Sequence, residues 1–249
     1  MTGAGAMAWK ELREIFMAEG RPAVQMAVAG VMDLVFGIGM PIFIANLFLD
    51  GLGLWGTVGV LCAGVAGVGA FMGIFGPMPT IADAFAGERE RHTLETLLAS
   101  PLPDGSILWG KMLAQYTVVG AHVALVSVTA GITSAILLGL PGLLVLPAGL
   151  LLGGAGAAVT SSFIVGLGIL LSLRAPTVKK AQERISYVMM PIFLLPAFGP
   201  ALVGGGVTIG PVAAIAISVA APAILLVGAV TFNIMVFARF RRDRLIGLA

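Results

Sequence analysis

Few residues in this chain could do chemistry, and the most chemically capable lie within long apolar stretches. Asp33, His122 and the hydroxyl run Thr160, Ser161, Ser162 each interrupt such a stretch. A carboxylate, an imidazole and hydroxyls could hold a proton or a cation; they are also the groups with which helices hydrogen-bond to one another in lipid. The segment 105–112, GSILWGKM, has the glycines and lysine of a phosphate-cradling loop. It has Met112 where a magnesium-binding hydroxyl is needed, and it leads into an apolar run instead of joining a strand to a soluble helix, so nucleotide binding is rejected. Neither HExxH nor GxSxG occurs, and Cys62 is the single cysteine, so no catalytic set and no metal ligand set are assigned.

The elements that must position these residues are helices in a membrane. With 59% hydrophobic residues, 10% charged residues and a mean hydropathy of +1.06, the chain is too apolar for a soluble domain of 249 residues. The predicted fold is an all-α polytopic membrane protein with six transmembrane helices. Spans are expected at about 24–48, 55–82, 112–138 and 143–173, with two more between 187 and 238, broken near 204–210. Pro77 and Pro79 should kink the end of the second span, and Pro191, Pro196 and Pro200 should bend the fifth. Ahead of the spans, Trp9, Leu12 and Phe16 share one helical face, which predicts an interfacial amphipathic helix within 1–21. The membrane domain is then 22–249, with cytoplasmic loops at 83–111 and 174–186.

Charge gives the orientation. All 14 Lys and Arg fall at 10–21, 89–111, 174–184 and 239–244, which are alternate connections of the six-span arrangement. The positive-inside rule therefore puts both termini and both polar loops in the cytoplasm, as expected for a multi-pass protein of the cell (inner) membrane. Counting inward, Asp33 lies 12 residues beyond Arg21 and His122 lies 11 beyond Lys111. At ~1.5 Å per residue both are about 16 to 18 Å deep, level with Thr160 to Ser162. A contact between Asp33 and His122 is expected, either fixing helix register or lining a substrate path. Gly69 with Gly73, and Gly149 with Gly153, permit close helix approach within a subunit or across a dimer seam.

One polar island, 87–101, reads GERERHTLETLLASP. Its charges alternate over Glu88, Arg89, Glu90 and Arg91, and Leu94, Leu97 and Leu98 recur at helical spacing before Pro101. Such a short helix either offers a leucine ridge to a partner's groove or packs on its own subunit. The island resembles the cytoplasmic coupling loop of type-2, exporter-like ABC transporter permeases. The likeness rests on Glu88 to Glu90, Thr93, Leu94 and Glu95, the pair Leu97 and Leu98, Pro101, and Lys111 at the start of the next helix. The segment 177–182, TVKKAQ, and the N-terminal helix resemble the family as well; His92 stands where a glycine is common.

That resemblance implies a permease subunit working as a homodimer or beside a related permease, each subunit resting on a separate cytoplasmic ABC ATPase subunit. ATP and magnesium would be bound by that partner, and this chain would hold no cofactor. The coupling residues would be Glu88, Arg89, Glu90, Arg91, Thr93, Leu94, Glu95, Leu97, Leu98 and Pro101. Lys179, Lys180 and Arg184 would frame the cytoplasmic entrance or meet membrane lipid headgroups. Nucleic acid is not an expected partner. The rival reading is an ion-coupled secondary transporter using Asp33, which calls for an inverted repeat that the sequence does not display.

Overall fold

A computed structural model describes residues 3–17, 21–190 and 211–240. Every regular element among them is helical. In chain order the α-helices are α1 (Gly3–Met17), α2 (Arg21–Leu34), α3 (Met40–Phe75), α4 (Met78–Glu90), α5 (Leu94–Leu98) and α6 (Asp104–Leu138). They continue as α7 (Val145–Ala148), α8 (Gly154–Ser172), α9 (178–190) and α10 (Pro211–Arg239). Short π-helical segments, Val35–Gly39 and Gly149–Gly153, join α2 to α3 and α7 to α8.

Four described stretches are long and apolar enough to cross a membrane: Ala27–Glu90, Asp104–Leu138, Leu140–Ser172 and Pro222–Arg239. The first has 64 residues, about 96 Å of helix against a hydrocarbon core of about 30 Å, and cannot be one crossing. It folds back at Gly53, whose φ of 66° and ψ of −178° are outside helical space. A glycine takes that conformation without a Cβ clash. Beyond the turn the two arms run side by side, so close that a methyl on Gly64 would meet the Met40 side chain. The second arm, expected to reach about residue 82 with a proline kink, is broken earlier: α3 stops at Phe75, Gly76 and Pro77 form a bend, and α4 starts afresh. Pro191, Pro196, Pro200 and the break near 204–210 lie outside the described residues.

The outward faces are apolar, with Ile132, Ile136, Ile224, Val227 and Ile234 all exposed, the pattern of a surface solvated by lipid. Inside, the glycine pairs bring α3 and α8 together within this one subunit. A Cβ at Gly69 would lie 2.5 Å from the Gly153 Cα, so the two backbones touch. Three apolar clusters stack along the bundle. Around Leu61 and Val126 is the end holding the Gly53 turn; around Met72 and Val123 is the middle; around Phe85, Ile107 and Ile185 is the charged end.

The described parts of all four basic segments converge on that charged end. Lys111 of α6 reaches α1 and α4, Arg89 of α4 reaches the end of α8, and the Phe85 and Phe240 rings bring in the end of α10, 5.6 Å between centroids.

The candidate coupling turn and the buried pair

The turn between α4 and α5 is built by the alternating charges, each side chain reaching a different element. Glu88 Oε1 accepts from Lys111 Nζ on α6 at 3.0 Å. Arg89 donates through Nη1 to the Ala175 carbonyl at 2.7 Å and through Nη2 to the Leu173 carbonyl at 3.0 Å, where α8 ends. A cation there also suits the negative end of the helix dipole. Glu90 Oε2 accepts the Val178 N–H at 3.1 Å and so caps the start of α9, with Thr177 Oγ1 accepting from the Lys180 N–H one turn on. Arg91 turns back to Asp83 on its own helix at 2.8 Å. Burial opposes the charge on Arg91, but the hydrogen bond it donates to Asp83 and the carboxylate's field leave the guanidinium's pKa raised.

Main-chain bonds close the turn. The Glu88 carbonyl accepts both the Thr93 N–H, at 2.8 Å, and the Thr93 hydroxyl, at 3.2 Å. Between them His92 has φ 56°, the left-handed region that costs a residue with a Cβ. That is the position where the resembling family commonly has glycine, and the backbone gives the reason.

Within this subunit the island's charges and leucines do not all face outward. Leu94 is 3% exposed and Glu88 4%, both inside the subunit, while Leu97 packs on the same core. Among the described side chains, Glu90, Arg91, His92, Thr93, Glu95, Thr96, Ala99 and Pro101 are the island residues open to solvent. The turn is therefore two-sided, wired inward through Glu88, Arg89 and Leu94 and open outward along Arg91 to Thr96.

Lys111 was not singled out by the sequence as buried, yet it is 1% exposed. Its Nζ lies 2.7 Å from Glu11 Oε1, 3.0 Å from Glu88 Oε1 and 5.1 Å from the Phe85 ring centroid. Lys10 comes within 3.5 Å of Glu88 from the exposed side. Burial drives the Glu11 pKa up, and the attraction of Lys111 offsets this only in part. Burial pulls Lys10 the other way, but Glu88, Glu14 and Glu11 leave its pKa raised. The signal that could have found Lys111 is the buried stripe of α6, where Ile107, Lys111, Gln115, Val118 and His122 share one face at helical spacing.

Deeper in the bundle, His122 Nδ1 hydrogen-bonds Asp33 Oδ2, joining α6 to α2, and both side chains are buried. Asp33 Oδ1 has no hydrogen-bond partner among the described residues. The hydroxyl run of α8 is at the same level without joining the pair. Thr160 donates to the Ala70 and Gly156 carbonyls, Ser161 to Ala158, and the Ser162 carbonyl accepts from Asn233 of α10. The second arm of α3 runs between: a methyl on Gly73 would meet Thr160, and one on Gly76 would lie 3.9 Å from the His122 ring. At the mouth of the second loop, Lys179, Lys180 and Arg184 are exposed, with Arg184 donating to the Arg174 carbonyl.

No curated protein matches the chain. The family model described as ABC-2 family transporter protein matches residues 7–210, from α1 through both loops. With that match over most of its length and its long apolar helices, the chain belongs to the ABC-2 transporter family and is a multi-pass membrane permease.

Proposed function

We propose that the chain is the translocation subunit of an ATP-driven exporter, with ATP and magnesium bound and turned over by a separate cytoplasmic ATPase. Six spans, both termini in the cytoplasm, and pairing with a second permease subunit complete the reading. The observation that carries it is the two-sided turn. Its inner side ties α4 to α1, α6, α8 and α9, so a push on the turn is delivered to most of the bundle at once. Its outer side, Arg91 to Thr96, is a small polar surface of both charges on which a partner's groove could bear.

In this reading α1 lies along the membrane surface with Trp9 and Phe16, both exposed, toward lipid. Lys179, Lys180 and Arg184 face the cytoplasmic entrance and its headgroups. The Asp33 and His122 pair holds α2 to α6 in register beside the path.

The test is co-purification from native membranes through a C-terminal tag. Wild type is expected to bring down an ATP-binding protein. A Glu95→Arg, Thr96→Ala variant, altered only on the outer side, should lose it while keeping its own membrane level. Absence of any ATPase from wild type in mild detergent would count against the reading, and would turn attention to Asp33 as an ion-coupling site.

A further inference from the structure

We infer that Lys111 is the positioning residue of the coupling turn: it sets the register among α1, α4 and α6, so that the N-terminal helix moves with the turn. The inference rests on the permease reading given above and extends it to an element, α1, that contributes nothing to the turn's exposed face.

The geometry is specific to one residue. Lys111 is reached by carboxylates from two other elements, Glu11 of α1 and Glu88 of α4, at 2.7 and 3.0 Å, and the Phe85 ring lies beneath it. Glu88 is the hinge of the arrangement, since its carbonyl closes the turn onto Thr93 while its carboxylate is held by Lys111. A displacement of the turn therefore reaches α6 in one contact and the buried Glu11 of α1 in two, beside the half-exposed contact of Lys10 with Glu88.

Apolar packing also joins α1 to α6, with Met7 pressed against Gly110, where a Cβ would lie 2.4 Å away. Such packing gives affinity with little direction. One ammonium between two carboxylates admits few arrangements, and charge-assisted bonds of this length are directional. A buried ionic cluster is weak evidence for stability, since desolvation cancels much of its attraction; fixing a register is what it can contribute.

The experiment separates register from stability. Protein in lipid nanodiscs, with Cys62→Ser, carries spin labels at Arg13→Cys on α1 and Glu95→Cys on the exposed side of α5, and the label-to-label distance distribution is measured. Lys111→Met alone strands the buried Glu11 carboxylate, leaves Glu88 with only Lys10, and is expected to lose much of its folded yield. The neutral variant Lys111→Met, Glu11→Gln, Glu88→Gln strands no charge. It is expected to melt no lower than wild type but to spread its distance distribution by about one helical turn, 5.4 Å. Lys111→Arg, which can fork to both carboxylates, should restore a narrow distribution. Captured ATPase should stay bound to the neutral variant, whose outer face is intact, and turn over severalfold more slowly per complex.

A neutral variant with the wild-type distribution overturns the inference, whether or not an ATPase is captured. So does a neutral variant that fails to fold, because the cluster would then supply affinity and not register. If the distribution spreads as expected but no form of the chain captures an ATPase, the permease reading fails and the positioning role of Lys111 stands.

Discussion

Two of the buried polar contacts that join helices, one at the charged end and one in the apolar layer, are built on different terms. At the charged end, Lys111 lies between Glu11 and Glu88, with Lys10 reaching in from the exposed side to balance the second carboxylate. In the apolar layer, Asp33 meets His122 and nothing else charged is in contact among the described residues. A carboxylic acid and an imidazole can share one proton and be neutral as a pair, whereas an ammonium held by two carboxylates works only as a set of charges. The difference follows depth. Charges are kept where water and counter-charges are near, and the layer remote from water holds a pair that can neutralise itself.

The comparison breaks first at Lys111. Lys111→Met leaves the buried Glu11 carboxylate uncompensated and Glu88 with only the half-exposed Lys10, and should cost about 3–5 kcal/mol, read as a fall in melting temperature of the detergent-solubilised protein. Asp33→Ala, by leaving the buried imidazole of His122 without its hydrogen-bond partner, should cost about 1–3 kcal/mol in the same assay. Asp33→Asn keeps a hydrogen-bonding group of the same shape and should cost less than Asp33→Ala. If Asp33→Asn were as damaging as Lys111→Met, the deep pair would be an obligatory ion pair and the contrast would be lost.

Smaller effects sharpen the description of the charged end. His92→Gly relieves a left-handed backbone and should stabilise the turn by up to about 1 kcal/mol, seen as slower hydrogen exchange at Thr93. The smallest effect is with pH. The Glu11 carboxyl is raised above its ordinary 4.5 by burial, so it holds a proton more tightly with α1 docked than undocked. Docking of α1 should therefore tighten as pH falls from neutral through the raised value, and gain nothing more below 4.5. Glu11→Gln should abolish that drift, which hydrogen exchange along α1 would report.

Much of this was legible in the sequence because lipid imposes simple rules. The 1.5 Å rise of a helix is enough to bring Asp33 and His122 to one level from their distances to Arg21 and Lys111, and the structure has them in contact. The break at Gly76 and Pro77 follows from proline chemistry, and the described parts of the basic segments gather at one end. Other features were hidden by the same rules. Lys111 was counted as a charge marking the membrane edge, but α6 begins seven residues earlier at Asp104, which carries Lys111 around to the inner face. Glu11 was missed likewise: the stripe Trp9, Leu12, Phe16 is wholly apolar and conspicuous, while the stripe that packs, Met7, Glu11 and Ile15, has a charge in its middle. The alternation of Glu88 to Arg91 reads as a solvated face, and only three-dimensional placement reveals four separate destinations. Periodicity finds faces that are uniform; it cannot find a buried charge whose partners come from elsewhere in the chain.

The most direct test of the two-sided turn is cysteine accessibility in native membranes. Single cysteines are placed from 88 to 99 in a Cys62→Ser background and labelled with a membrane-impermeant maleimide on inverted vesicles. The account predicts rapid labelling at 91, 92, 93, 95 and 96, slow labelling at 88 and 94, and protection of the rapid set alone when the ATPase is bound. Rapid labelling at 88 and 94 with protection there by the ATPase would contradict it, because the leucine and the glutamate would then face the partner and not the subunit's own core.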